Sequence, residues 1–237
     1  MSSSEEYDAA AISSALPAEL ATTVSAPAHL PEATVRRLTT YLRVLDQLVD
    51  EQATVSSQDL ATFAGTNSAT LRKDMSLLGT FGRRGVGYDV QRVRVLLETT
   101  LGLTREWRVL LVGAGNLGRA FAGYAGFRSH GFRFVGVIDS NPELVGTTIN
   151  DLEVSAASDL EALATKHRAN MAVLTVPGVA AQPVVDQLVA AGVHNILSFA
   201  PVPLRVPDGV TVRRVDVARE IQMLAYFAVM GEASDGT

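Results

Sequence analysis

The segment WRVLLVGAGNLGRAF (107–121) decides the fold. Its residues 108–112 are a Val- and Leu-rich run, the pattern of a strand buried on both faces. Gly113, Gly115 and Gly118 follow in G-x-G-x-x-G spacing, with Ala114, Asn116 and Leu117 between them, and a helical stretch comes next. FRFVGVID (132–139) then reads as a second strand and ends in Asp139, 21 residues after Gly118. In a dinucleotide-binding βαβ unit each glycine has its own task. Gly113 permits the sharp turn, Gly115 leaves room for a pyrophosphate, and Gly118 lets the helix pack close to the strand. The helix N-terminus offers free N–H groups to the phosphates. Asp139 can accept the adenosine ribose hydroxyls, and its charge opposes a 2′-phosphate, so NAD+ and NADH are expected over their phosphorylated forms.

Downstream, three further strands fit one doubly wound parallel sheet, an α/β Rossmann-like fold. Residues 171–176 lead into Pro177, residues 193–198 into Phe199-Ala200-Pro201, and residues 210–215 into Asp216. The ends of such strands lie on the cofactor edge. Thr175, Pro177, Phe199, Ala200 and Pro201, a mostly apolar set, are therefore expected around the nicotinamide.

Upstream, Val35, Leu38, Leu42, Leu45 and Val49 recur at helical spacing. Ser56, with Asp59 three positions on, forms a capping box for a short second helix. Leu60 and Phe63 are expected on its apolar face, and Gly65 at its end. A third helix is expected over 68–78. It turns Leu71, Met75 and Leu78 inward and Thr70, Arg72 and Lys73 to solvent. FGRRGVGYDV (81–90) has glycines placed as in a tight hairpin. This order is that of a winged helix-turn-helix, with a small helical bundle as the plain alternative. Between residues 68 and 94 six cations face two acids, a net of +4, while the chain as a whole carries −5. A DNA site would thus be a local patch. Residues 90–103 read as a helical connector.

The chain of 237 residues has no cysteine, which excludes disulfides, thiolate metal sites and cysteine nucleophiles. Hydrophobic residues make up 47% and charged residues 19%, the balance of a globular protein. No apolar run reaches the ~20 residues needed to cross a bilayer. The start carries Glu5, Glu6 and Asp8 instead of a basic, then apolar, signal, so a cytoplasmic location without membrane contact is expected. The expected layout is a mobile tail (1–30), a winged helix-turn-helix domain (31–92), a Rossmann domain (93–216) and a C-terminal helix with its tail (217–237). IQMLAYFAVM (221–230) is apolar nearly all round, so a second copy of the chain is expected to cover it, unless it tucks into its own domain.

Catalytic equipment is poor. His29 lies in the tail, and His130, His167 and His194 fall in helix-to-strand connections, on the edge opposite the cofactor. No catalytic or metal-ligating set is expected, and an NAD-dependent oxidoreductase with an N-terminal extension is the weaker alternative. A DNA reader joined to a dinucleotide binder without catalytic groups suggests a sensor. A second rival is a constitutive DNA-binding protein whose Rossmann half only dimerises.

From about residue 31 to 230 the chain resembles the Rex family of redox-sensing transcriptional repressors. The resemblance rests on PEATVRRLTTYLRVL (31–45), LRKDMSLLGTFGRRGVGYDV (71–90), VGAGNLGRA (112–120), YAGF (124–127), SFAPVPL (198–204) and RRVDVA (213–218). It implies a homodimer that binds palindromic double-stranded operator DNA when NADH is scarce. NADH releases it, NAD+ competes for the pocket, and genes of respiration, fermentation and NADH reoxidation are controlled. It also implies a C-terminal helix swapped between subunits beside the partner's cofactor. Arg72 and Lys73 match the family's recognition-helix pair, and Arg83 and Arg84 its wing. Arg43, Tyr124 and Asp216 match polar residues that re-pair on switching. Thr70, Ser198 and Val217 depart from common family residues, which bears on operator sequence and sensitivity.

Overall fold

Pro31 caps the first helix described in this computed structural model, which describes residues 30–79 and 87–235. Almost all of the expected tail, and Arg83 and Arg84 of the expected wing, lie outside the described residues. Helix α1 (Glu32–Leu48) buries Leu38, Leu42 and Leu45, as the helical spacing predicts, together with Tyr41, whereas Val35 is exposed and Val49 lies just past the helix end. A short strand, β1 (Thr54–Val55), precedes α2 (Ser57–Phe63). Ser56 caps α2: its Oγ accepts the Asp59 N–H at 3.0 Å and donates to Asp59 Oδ2 at 2.7 Å. Gly65, at φ +66°, turns the chain out of that helix.

The apolar face of α2 differs from expectation. Leu60 and Ala61 are buried, while Phe63 is 59% exposed. The inward arc runs from Leu60 to Ala61, and at ~100° per residue Phe63 falls about 60° beyond its Leu60 edge. Helix α3 (Ser68–Ser76) stops two residues short of the expected end. Its cap is Asn67, whose Oδ1 accepts the Thr70 N–H at 2.8 Å. Leu71, Met75 and Leu78 are buried together as expected.

Strand β2 (Tyr88–Asp89) pairs antiparallel with β1, Val55 opposite Tyr88. The return limb of the wing is thereby tied to the strand between the first two helices. Asp89 caps α4 (Val90–Thr100) through the Arg92 N–H at 2.8 Å. The chain divides into two compact units at Arg105/Glu106, not at the expected 92/93. The reason is apolar contact: Val93, Leu96 and Leu97 of α4 belong to the same core as Leu38, Leu45 and Leu71.

The second unit is a seven-stranded sheet in the order β5-β6-β4-β3-β7-β8-β9. Its strands are β3 (Trp107–Val112), β4 (Phe132–Asp139), β5 (Thr148–Ile149), β6 (Leu152–Ala156), β7 (Met171–Leu174), β8 (Asn195–Ser198) and β9 (Thr211–Arg214). β5 pairs antiparallel with β6, and the remaining pairings are parallel. Helices α5 (Asn116–Ala122), α6 (Leu160–His167) and α7 (Gly178–Ala190) lie in the connections, and α8 (Val217–Asp235) closes the chain. Leu110 and Val112 enter one core and Val109 and Leu111 another, so β3 is buried on both faces, as its apolar run predicts.

The winding direction reverses between β3 and β7. That is the topological switch point where doubly wound sheets hold ligands. The β5–β6 hairpin adds an antiparallel edge to the parallel sheet that the sequence predicts. Asn150 and Asp151 turn it with φ of +47° and +65°. The apolar side chains of α8 between Ile221 and Met230 are mostly exposed, Leu224 to 68% and Phe227 to 62%. Among the described residues no helix is long and apolar enough to cross a membrane.

Candidate functional site

The glycine turn sits at the C-terminal end of β3 and is fitted from beneath. Gly113 has φ +105°, and a Cβ there would lie 2.7 Å from the Thr175 carbonyl oxygen. Thr175 in turn donates from Oγ1 to the Gly113 carbonyl at 2.8 Å. A Cβ on Gly118 would come within 1.9 Å of that same carbonyl. Gly113 and Gly118 are therefore demanded by backbone packing. Gly115 is not. Its φ is −67°, open to any residue, and a Cβ there would meet nothing within 4 Å. The protein's own geometry gives no reason for glycine at 115, whereas a bulky group resting on the turn does.

Asp139 ends β4, the neighbour of β3. Its Oδ2 accepts the Ala114 N–H at 2.6 Å and its Oδ1 the Asn141 N–H at 2.7 Å. Thr175 follows β7, on the other flank of β3. One strand further, the loop after β8 carries Phe199, Ala200 and Pro201. Buried Ser198 accepts the Ala200 N–H at 3.2 Å, and Phe199 packs on Phe121 of α5 with centroids 4.8 Å apart. Gln182 of α7 brackets the loop, donating to the Arg205 carbonyl at 2.9 Å and accepting its N–H at 2.8 Å. The expected residues thus stand on four adjacent strand ends, with Asn116, Leu117, Pro177 and Pro201 exposed along the line, whereas the side chains of Ala114 and Ala200 are wholly buried behind it. The Phe199 ring is partly taken up by Phe121 and backs this wall. No sequence pattern singles out Gln182.

His130, His167 and His194 precede β4, β7 and β8, at the strand starts opposite this line. His29 lies outside the described residues. Tyr124 is 64% exposed and meets Phe127 edge-on at 5.2 Å. Asp216 caps α8 by accepting the Arg219 N–H at 3.1 Å. Arg43 is exposed on α1 in the other unit.

In the N-terminal unit Arg72 and Lys73 project from α3, while Thr70 is half-buried. Arg72 folds back on its own helix, donating from Nε to the Ser68 carbonyl at 3.0 Å. Arg94, counted among the local cations, is taken up by Asp46 at 2.6 Å and Glu98 at 2.7 Å. The residue that spacing did not disclose is Asp74, 2% exposed on the inner face of α3. Arg37 grips it bidentately, Nε to Oδ2 at 2.6 Å and Nη2 to Oδ1 at 2.7 Å. Tyr41 adds a bond at 2.9 Å and Thr34 one at 3.3 Å. Burial pushes the Asp74 carboxyl up, but the bonds from Arg37 and Tyr41 outweigh it and hold it below its ordinary value. The bond to Asp74 raises Arg37 further above its usual range. Burial and the same carboxylate push Tyr41 up to about 12.

Two family models match the chain: a DNA-binding protein N-terminus over residues 29–76 and a CoA binding domain over residues 104–202. The redox-sensing transcriptional repressor Rex of Streptomyces griseus subsp. griseus is 50% identical over 198 residues, 83% of this chain and 78% of that one. This chain belongs to the Rex family. Similar Rex-family folds are those of RSP. RSP in complex with β-NAD+ and operator DNA has a TM-score of 0.83 at 32% identity, covering 88% of this chain and 96% of that one. RSP in complex with β-NADH has a TM-score of 0.80 at 31% identity, covering 88% and 98%. The Rex relatives are named as repressors, so the oxidoreductase alternative falls.

Proposed function

We propose that this protein is a homodimeric repressor that holds palindromic operator DNA in the cytoplasm when NADH is low and leaves it when NADH binds. NAD+ competes for the same pocket. Genes of respiration, fermentation and NADH reoxidation are its targets. The observation that carries this reading is Gly115, bare where neither backbone nor packing needs it bare, with Asp139 beside it. RSP, a relative of similar fold, has been solved with NAD+ and operator DNA and with NADH, which supports the same ligands here.

Residues 113–118 would hold the pyrophosphate, Asp139 the adenosine ribose, and the loops of Thr175, Pro177 and Phe199-Ala200-Pro201 the nicotinamide. The bound dinucleotide supplies a ring that is cationic when oxidised and neutral when reduced. Phe199 and Pro201, backed by the buried Ala200 and closed over by Tyr226 or Phe227 of a second copy, make an enclosure in which an unpaired cation is costly. The phosphate and ribose contacts serve both forms equally and so move no equilibrium. Near-complete switching needs about 10⁴-fold differential affinity, about 5.5 kcal/mol, which two sites of a dimer can share. Arg43, Tyr124 and Asp216 re-pair as the dimer changes state. Arg72, Lys73, Thr70, Arg83 and Arg84 contact the DNA.

Operator gel shifts across NADH/NAD+ ratios test the reading. DNA binding should fall as NADH rises. By linkage, operator should weaken NADH binding by the same factor. A shift insensitive to either nucleotide would instead favour a protein whose C-terminal unit only dimerises.

A further inference from the structure

Among the described residues Asp74 is the one buried side chain that carries a charge at neutral pH. It sits on α3 directly after Arg72 and Lys73. Its donors come from a different helix. Thr34, Arg37 and Tyr41 of α1 are spaced i, i+3 and i+7, so one face of α1 carries all of them. The carboxylate therefore receives four hydrogen bonds from a single rigid element.

These bonds do something that the apolar contacts of α3 cannot. Leu71, Met75 and Leu78 hold the helix against its core, but hydrophobic contact is non-directional and tolerates small rotation and sliding. A two-pronged guanidinium–carboxylate pair fixes distance and plane together. A turn of α3 by one residue would swing Asp74 off the α1 face by ~100°. Lys73 adjoins it and Arg72 lies two positions away on the same helix, so whatever fixes Asp74 fixes their direction. Pairing with Arg37 also cancels a negative charge that would stand beside two cations.

We infer that the Arg37–Asp74–Tyr41 clamp sets the rotational register of α3, making Asp74 and Arg37 positioning residues for operator specificity that do not themselves touch DNA. The inference rests on the proposal that α3 reads an operator. Base-edge contacts require accurate side-chain placement, whereas phosphate contacts depend mainly on charge. Loosening the clamp therefore lowers discrimination between sequences and leaves general DNA affinity intact.

The test uses the full chain. A palindromic duplex selected by the wild-type protein from a random-sequence pool is compared with a scrambled duplex, over a series of salt concentrations. If the wild-type protein selects no sequence, the repressor reading itself fails, and this is seen before any variant is made. Arg37→Lys keeps the charge and loses the fork. It should lower the ratio of selected to scrambled affinity by about tenfold, within the range of one base contact, with scrambled affinity and NADH affinity unchanged. The double variant Arg37→Met, Asp74→Leu replaces the pair with apolar contact, which can restore thermal stability. Its discrimination should stay low even where its melting temperature recovers. Wild-type discrimination in either folded variant overturns the inference. So does a salt slope reduced by about one in the double variant, which would make Arg37 a phosphate contact instead.

Discussion

Asp139 and Ala114 are joined by a 2.6 Å hydrogen bond from the Ala114 N–H to the Asp139 carboxylate. The acid expected to hold a ribose thus also fixes the second residue of the glycine turn. Its other oxygen holds the Asn141 N–H, yet each carboxylate oxygen retains capacity for a further donor. Asp139→Ala should weaken NADH and NAD+ alike, by tenfold or more, since a bond to a charged acceptor contributes ~1.5–3 kcal/mol. It should also relax exclusion of NADPH. Calorimetric titration with the three nucleotides checks this, and NADPH excluded at the wild-type level would remove Asp139 from the ribose.

Gly115 and Gly118 should part company. Gly115→Ala leaves a Cβ in open space at an ordinary φ, so folding stability should stay within ~0.5 kcal/mol of wild type while nucleotide binding is lost. Gly118→Ala forces a Cβ against the Gly113 carbonyl and should lower stability outright. Thermal melts set beside NADH titrations distinguish the two. Wild-type affinity in Gly115→Ala would show that no pyrophosphate rests there.

The Asp74 carboxyl is held below its ordinary value, so its contribution to stability is full above the unfolded value of about 4 and is lost as pH falls through the folded one. At pH 7 Asp74→Asn should cost about 2–4 kcal/mol, less than a wholly buried pair because Arg37 keeps part of its side chain in water. Urea unfolding at neutral and acid pH should show the gap between wild type and variant closing as pH drops. A constant gap would mean that the charge contributes nothing.

Tyr41 behaves in the opposite sense. Pushed up to about 12, it stabilises the fold fully below the unfolded value of about 10 and loses that contribution as pH rises through 12. Tyrosinate absorbance of wild type and Tyr41→Phe should differ by one late-titrating group. Its appearance near 10 would mean that the hydroxyl is not held by Asp74.

The exposed apolar residues of α8 should govern assembly. Leu224→Glu with Phe227→Glu should convert a dimer to monomers in sedimentation while the sheet retains its melting transition. A wild-type protein that sediments as a monomer would contradict a helix covered by a second copy.

Much of this architecture was legible in residue order because it depends on spacing. The glycines, the strand before them and Asp139 lie within 33 residues, and each owes its identity to a local demand. What escaped depends on distance along the chain. Arg37 and Asp74 are separated by 37 positions, and no local pattern pairs them. The periodicity of α4 shows an amphipathic helix without showing which core takes its apolar face. Phe63 satisfies a helical spacing yet misses a narrow arc on a seven-residue helix. The β5–β6 hairpin turns on Asn150-Asp151, a weaker signal than Asn-Gly.

The close fit of Gly113, Gly118 and Thr175 has a kinetic consequence. Three backbones already interlock at van der Waals limits, so the socket is stiff before anything enters it. Entry then freezes little main chain, and arrival is not slowed by a folding step. Occupancy would follow the surrounding dinucleotide pool as quickly as the previous guest departs, leaving dwell time as the quantity that selection can tune.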